Sequence, residues 1–241
     1  MSVGPEVFGE DYLYFYETWL TDEVSDRQAE LIWRLLELHE GSHVLDLACG
    51  YGRIANRLAA RGARVTGLDA DAYFLERARA GGPDVEYRLG DMRELPWAEP
   101  RFDGVVLWFT AFGYFDDATN ASVLRGIKRV LRGGGRLVLD INHMPRLLAT
   151  LHPQQFFRRD SDVALDEYEW HPETSVLTTR RTYIRGGAIR EISYDVRLYM
   201  PAELRALLLQ AGFAEVELLG PTGEPLTAED RRLTAVARAP S

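Results

Sequence analysis

The chain has 241 residues, 46% hydrophobic and 27% charged, with a formal net charge of −9 and one cysteine, Cys49. That length fits one domain with an elaboration, the composition is that of a soluble globular protein, and the acid excess argues against a long phosphate-binding surface. No apolar run reaches the roughly 18 residues of a membrane span, Met1 to Glu6 lack a basic-apolar leader, and a lone cysteine excludes an intrachain disulfide; a cytoplasmic protein with no membrane or nucleic-acid partner is expected.

The chain opens with an aromatic segment, Phe8 to Leu20. Asp11 is expected to cap a short helix on which Tyr12 and Tyr16 share one face and Phe15 and Trp19 another. Such a helix covers a core or closes over a ligand. Ser25-x-x-Gln28 has the capping-box pattern and predicts a second helix, with Ile32, Trp33, Leu35, Leu36 and Leu38 at helical spacing and Gly41 as its stop. Val44 to Leu47 then forms a short apolar strand broken by Asp46. Gly50 and Gly52 turn it into a helix carrying Ile54, Ala55, Leu58 and Ala59. A glycine turn at a helix N-terminus presents outward N–H groups and lets a ligand lie against the main chain. A carboxylate at the strand's end can grip a cationic group.

Gly50-Tyr51-Gly52-Arg53-Ile54-Ala55 satisfies G-x-G-x-x-A, a dinucleotide fingerprint. An acid four residues before the first glycine fits a pyrophosphate poorly and fits the ammonium group of S-adenosylmethionine (SAM) better. The stretch His43 to Arg53 resembles motif I of the class I SAM-dependent methyltransferases, departing from it at Ala48 and Cys49. The resemblance covers roughly residues 40 to 140 and 200 to 239. It implies a three-layer α/β fold with a Rossmann-like sheet of seven strands, the last antiparallel, in a single domain spanning 1–241. Residues 1–40 form a helical cap, for which the resemblance implies a lid role that singles out Tyr14 and Tyr16.

Ala63 to Asp69 reads as the second strand, with Asp69 placed to accept from ribose hydroxyls and Asp71 to cap the next helix. Ala70 and Phe74 would flank adenine. Val85 to Leu89 is a third strand. Gly90-Asp91-Met92 resembles the family's segment that closes over adenine, although Asp91 also suits a plain turn. Phe102 to Trp108 reads as a central strand buried on both faces. Leu107, Trp108, Phe112 and Tyr114 lie at or beyond its carboxyl end, where α/β ligands bind. Asp116 or Asp117 caps a helix ended by Gly133-Gly134-Gly135, and Arg136 to Asp140 forms the fifth strand.

Residues 152–199 read as an antiparallel β ribbon, which the resemblance makes a substrate cover or subunit contact. A helix from Pro201 and strands Phe213 to Leu219 and Leu233 to Ala237 complete the chain. The cofactor set is thus Tyr16, Asp46, Ala48, Gly50, Gly52, Arg53, Asp69, Ala70, Phe74, Asp91, Met92, Leu107 and Trp108. The acceptor set is Tyr14, Phe112, Tyr114, Arg197 and Tyr199, the last two being equally readable as a salt-bridging arginine and a packing tyrosine.

Methyl transfer from a sulfonium needs positioning and, for a hydroxyl or protonated amine, a base. His143, three residues past Asp140, is the best-placed base, ahead of His152 and His171, and it also reads as a packing histidine. No spacing suggests a metal site. The expected activity is N- or O-methylation of a small-molecule acceptor, by a monomer or homodimer that releases S-adenosyl-L-homocysteine. The alternatives are an RNA or protein methyltransferase and a non-catalytic SAM-binding module. SAM is expected to raise the melting temperature and NAD to leave it unchanged. Asp69→Ala should weaken SAM binding by about 1–3 kcal/mol in isothermal titration.

Overall fold

The computed structural model describes residues 7–82 and 85–241. Met1 to Glu6, on which the absence of a leader was read, lie outside the described residues. In chain order the elements are α1 (Glu10–Tyr16), α2 (Asp22–Leu35), β1 (His43–Leu47), α3 (Ala55–Ala60), β2 (Arg64–Asp69), α4 (Ala72–Ala80), β3 (Val85–Leu89), β4 (Phe102–Leu107), α5 (Asp117–Val130), β5 (Leu131–Asn142), α6 (Met144–Thr150), β6 (Gln154–Arg159), β7 (Asp162–His171), β8 (Val176–Arg185), β9 (Ala188–Arg197), α7 (Pro201–Gln210), β10 (Glu215–Leu219) and β11 (Arg232–Arg238). None of the described helices is long and apolar enough to cross a membrane.

Among the described residues, seven strands form one sheet in the order β10-β11-β5-β4-β1-β2-β3. All run parallel except β11, which is antiparallel to both neighbours. Strand alternation sends successive side chains to opposite faces. Leu45, Leu47, Val105 and Leu107 pack with Leu124, Ile127 and Leu204 of α5 and α7. Val44 and Val106 pack on the other face with Ile32, Leu58 and Leu75 of α2, α3 and α4. Asp46 shares that second face, beside the glycine turn. The three-layer α/β architecture therefore follows from the apolar runs of β1 and β4, which must be covered on both sides.

The segment 152–199 is a second, antiparallel sheet in the order β6-β7-β8-β9. On β9, Ile192 and Val196 are buried while Glu191 and Ser193 are exposed, as the alternation predicts. Helix α1 packs against this sheet. Phe15 stacks on Tyr183 with centroids 5.6 Å apart, and Asp11 pairs with Arg185 and Arg190, each at 2.9 Å. Inside the sheet Arg181 and Asp166 form an ion pair, at 3% and 0% side-chain exposure. The Tyr16 hydroxyl accepts from Arg181 at 3.0 Å, joining cap and insertion.

Four local expectations change. Asp11 lies inside α1, whose N-cap is Gly9. Helix α2 starts at Asp22 and is capped by Thr21, whose Oγ1 accepts from the Val24 N–H. Thr21 is followed by two acids that suit a helix N-terminus, while Ser25 and Gln28 turn inward and accept from Arg53 at 3.4 and 2.6 Å. The capping pattern at Ser25 was real spacing used for another purpose, the satisfaction of a buried guanidinium. That helix also ends before Gly41, because Glu37 takes a φ of +53°. Helix α5 stops at Val130 without glycine. The chain enters β5 at Leu131, and Gly133 to Gly135 fall in an irregularity where pairing shifts from Phe102↔Leu131 to Gly104↔Arg136.

Gly52 sits at φ +78°, and a Cβ there would collide with the Tyr87 hydroxyl and ring. Strand β3 therefore approaches the turn as closely as it does only because the side chain is missing. Gly52→Ala is expected to destabilise the fold by about 1–3 kcal/mol through overpacking and left-handed strain, read as a lower urea midpoint at unchanged slope.

Candidate active site

The cavity lies at the carboxyl ends of β1, β2 and β4 and encloses about 240 Å³. Its floor is the turn after β1. Ala48 and Gly50 take φ of +56° and +54°, and a Cβ at Gly50 would meet nothing within 4 Å. The main chain there faces open space. Asp69 fixes the turn from the neighbouring strand: its Oδ2 accepts from the Gly50 N–H at 2.7 Å and its Oδ1 from the Asp71 N–H at 2.9 Å. Asp71 caps α4 through the Tyr73 N–H at 2.8 Å.

Asp46 is 3% exposed and its Oδ2 has no partner among the described residues. Burial, with Asp69 nearby, pushes its carboxyl from the usual 3.8 up to about 7, against the pull of Arg53 and the Ala55 N–H. Arg53 is 9% exposed, and burial lowers its pKa. Both line the cavity. A buried, under-satisfied carboxylate near a buried guanidinium is the complement of a zwitterion, and an α-amino acid end carries those two charges.

Beyond β4, Phe109 and Thr110 take φ of +62° and +58°. The Trp108 indole N–H and the Thr110 hydroxyl, both buried, have no partner among the described residues. Opposite lies α1, where Tyr12 stacks on Tyr16 at 4.3 Å and 21°. Phe8 bridges Tyr12 and Tyr114, with centroids 5.3 and 5.4 Å away. Burial raises the Tyr12 and Tyr114 hydroxyl pKa well above the ordinary value.

Of the residues singled out from the sequence, Asp46, Ala48, Gly50, Arg53, Asp69, Ala70, Phe74, Asp91, Met92, Trp108 and Tyr114 line this cavity. Asp91 does so with its carboxylate engaged: it accepts from the Arg93 N–H at 2.8 Å and pairs with the Arg93 guanidinium, which holds its pKa below the usual range. Gly52 and Leu107 do not line it; Gly52 faces Tyr87, and Leu107 is wholly buried under α5. Tyr16 stands one layer behind, between Tyr12 and Arg181. Tyr14 lies between the Arg159 and Arg185 guanidiniums at 4.1 and 4.2 Å.

Phe112 stacks on Tyr199 in the core, and the Tyr199 hydroxyl accepts from Asn120 at 3.0 Å. Arg197 pairs with Asp117 and Glu203. His143 is the N-cap residue of α6, 4% exposed, with Nδ1 at 2.8 Å from the Asp230 carbonyl. None of these four residues, Phe112, Tyr199, Arg197 and His143, lines the cavity. Position past a strand end placed them near it in the sequence; side-chain direction took them away. Sequence reasoning did not select Phe8, Tyr12, Tyr51, Phe109 or Thr110, which do line it. Tyr12 carried a usable signal, one helical turn before Tyr16.

A β-α-β turn with an acid on each of two adjacent strands and an aromatic cover over the strand ends defines a SAM-binding α/β site. Residues 44–135 match the family model described as a methyltransferase domain. The chain is 32% identical over 203 residues to the 2-phytyl-1,4-naphtoquinone methyltransferase of Thermosynechococcus vestitus, covering 79% of this chain and 80% of the relative. The CcbJ methyltransferase of Streptomyces caelestis superposes with a TM-score of 0.81 at 26% identity, over 95% of this chain and 96% of that one. SAM-bound CalS10, an amino pentose methyltransferase of Micromonospora echinaspora, shares the fold with a TM-score of 0.68 at 22% identity, over 96% and 98% of the two chains. The chain belongs to the class I SAM-dependent methyltransferases, and its cofactor is SAM.

The Asp46 carboxyl gives a pH test. Its folded pKa stands near 7 and the unfolded one near 3.8, so between those values the folded protein holds a proton that the unfolded chain has released. The stability of the empty protein falls as pH rises through that window and levels off above it. A ligand cation favours the ionised form, so SAM affinity should fall as pH drops below 7, by up to about tenfold per unit. Titrations from pH 7.5 to 5.5 are expected to show this in the wild type and to lose it in Asp46→Asn.

Proposed function

We propose that the enzyme methylates an amine nitrogen of a small molecule, by positioning the acceptor and without a protein base. Bound SAM supplies an electrophilic methyl group on a sulfonium. Asp46 takes the ammonium group of the cofactor and Arg53 its carboxylate. Asp69, still holding lone pairs after its two backbone bonds, takes the ribose hydroxyls, and Ala70, Phe74, Asp91 and Met92 surround adenine. With adenosine over β2 and the amino acid end over β1, the methyl group points to the loop after β4 and to the cap.

The observation that carries the nitrogen reading is the make-up of that end of the cavity. Phe8, Tyr12, Phe109, Thr110, Ala111 and Tyr114 line it. None is a carboxylate or an imidazole, and burial keeps both tyrosine hydroxyls protonated. A hydroxyl acceptor would need a group to take its proton, whereas a neutral amine presents its own lone pair. Aromatic faces also favour the cationic product amine and the sulfonium. The net charge of −9 favours a small molecule over a nucleic acid. CalS10 is an amino pentose methyltransferase, and an amino pentose carries an amine. The cap serves as the cover that excludes water, and the sheet of residues 152–199 holds it in place. His143, held by the Asp230 carbonyl, serves the fold.

The test is incubation with methyl-13C SAM and a panel of small amines, amino sugars among them, paired with their hydroxyl analogues. The product methyl resonance is expected at the shift of an N-methyl group, and only with the amines. His143→Ala is expected to keep near-normal turnover, where loss of a general base would cost about 10²–10⁴-fold. Labelled methyl on oxygen, or a collapse of kcat in that variant, would overturn the reading.

A further inference from the structure

Asp140 lies in the buried run of β5, one residue before that run ends, at 3% exposure, and does not line the cavity of the candidate active site. Yet it makes both backbone contacts that define the loop after β4. Its Oδ1 accepts from the Phe109 N–H at 3.0 Å, and its carbonyl accepts from the Thr110 N–H at 2.9 Å. These are the two consecutive non-glycine residues with positive φ. Side chains adopt that conformation at a cost, and keep it only where the surroundings over-determine it. Arg232, across the β5–β11 pair, grips the same carboxylate and donates to Asn142 Oδ1 at 2.8 Å. Its guanidinium also lies 5.4 Å from the centre of the Phe109 ring, and that of Arg53 lies 5.5 Å from it. The strained pair is therefore held at one N–H by the Asp140 carboxylate, at the other by the Asp140 main-chain carbonyl, and at the Phe109 ring by two cations.

We infer that Asp140, clamped by Arg232, is a positioning residue for methyl transfer: it holds Phe109 and Thr110 in the left-handed conformation, which directs the Thr110 hydroxyl, and, through the Phe109 ring packed in the same cluster as Trp108, the Trp108 indole N–H, to the place where acceptor and methyl group meet. Those two groups are the buried polar atoms of the loop left without partners among the described residues. An extended backbone at 109 and 110 would turn the Thr110 hydroxyl elsewhere and withdraw the Phe109 ring from the cluster in which Trp108 packs. The inference rests on the cofactor orientation proposed above.

Protein labelled with 5-fluorotryptophan tests both parts separately. The chain has five tryptophans, and Trp108→Phe assigns the signal of interest. Without ligand, Asp140→Ala is expected to displace or split the Trp108 fluorine signal while those of Trp33 and Trp97 hold. Asp140→Asn keeps an oxygen for the Phe109 N–H and is expected to restore the wild-type position. An unmoved Trp108 signal in Asp140→Ala overturns the clamp. If that variant does not fold, Arg232→Gln carries the same test, movement supporting the clamp and its absence overturning it. Adding S-adenosyl-L-homocysteine to the wild type is expected to shift the Trp108 signal. No shift at saturation overturns the orientation and leaves the ligand-free result to be judged alone. With an amine acceptor in hand, Asp140→Ala should lower kcat about 10²-fold, the cost of misplacement near 1 Å, with the KM for SAM little changed. An unchanged kcat overturns the positioning role.

Discussion

The buried carboxylate of Asp46 is the constraint around which the site is arranged. A charge taken out of water costs several kcal/mol unless it is paired, and Asp46 keeps one oxygen without a partner among the described residues. It sits at the end of a central strand covered on both faces, at 3% exposure, where it lines the cavity. The fold tolerates this in two ways: the carboxyl is held partly protonated near neutral pH, and Arg53 supplies a cation close by. Arg53 in turn is buried, and α2 turns Ser25 and Gln28 inward to satisfy it. One unsatisfied acid thereby dictates the polar face of a helix some twenty residues earlier in the chain.

The second acid works differently. Asp69 spends two lone pairs on the N–H groups of Gly50 and Asp71. It ties the glycine turn of β1 to the end of β2, so that the floor of the cavity and the cap of α4 move as one piece. Pre-organisation of this kind lowers the ordering cost that a ligand would otherwise meet. The aromatic cover is built less locally. Tyr12 reaches the cavity because Tyr16 stacks behind it, and Tyr16 is held by Arg181, whose partner Asp166 is fully buried in the inserted sheet. Removing one member of such a pair is costlier than the pair's net worth. The geometry of the cap is thus specified by a sheet whose residues do not touch the cavity themselves.

The alternation of β9 and the apolar runs of β1 and β4 were legible because strand periodicity is local. The inserted segment, read as an antiparallel ribbon, forms a four-stranded antiparallel sheet of its own. Helix α6 was not expected at all, since Met144 to Thr150 is a short run with proline in its first turn. Helix starts were the weakest readings: Ser25 and Asp11 have the right chemistry for caps, but a buried arginine and two cross-element ion pairs claimed them. Caps compete with tertiary partners for the same side-chain oxygens.

By itself the sequence determined the succession of strands and of the helices other than α6, the glycine turn, and the acids at the ends of β1 and β2, because each depends on residues within one turn or one strand of each other. It therefore carried the glycine-and-acid side of the cavity. Most of the aromatic side was decided only by the tertiary structure. Phe8, Tyr12, Phe109, Thr110 and Tyr114 come from a cap helix, the segment before it, and a loop about a hundred residues later. Which of the many aromatic side chains face the cavity depends on how α1 packs on a sheet formed by residues 154–197 and on backbone dihedrals at Phe109 and Thr110 that neither residue prefers. Arg197, Tyr199 and His143 lie near strand ends in sequence and point elsewhere in space, because a strand's end fixes where a residue sits and not which neighbour satisfies its side chain.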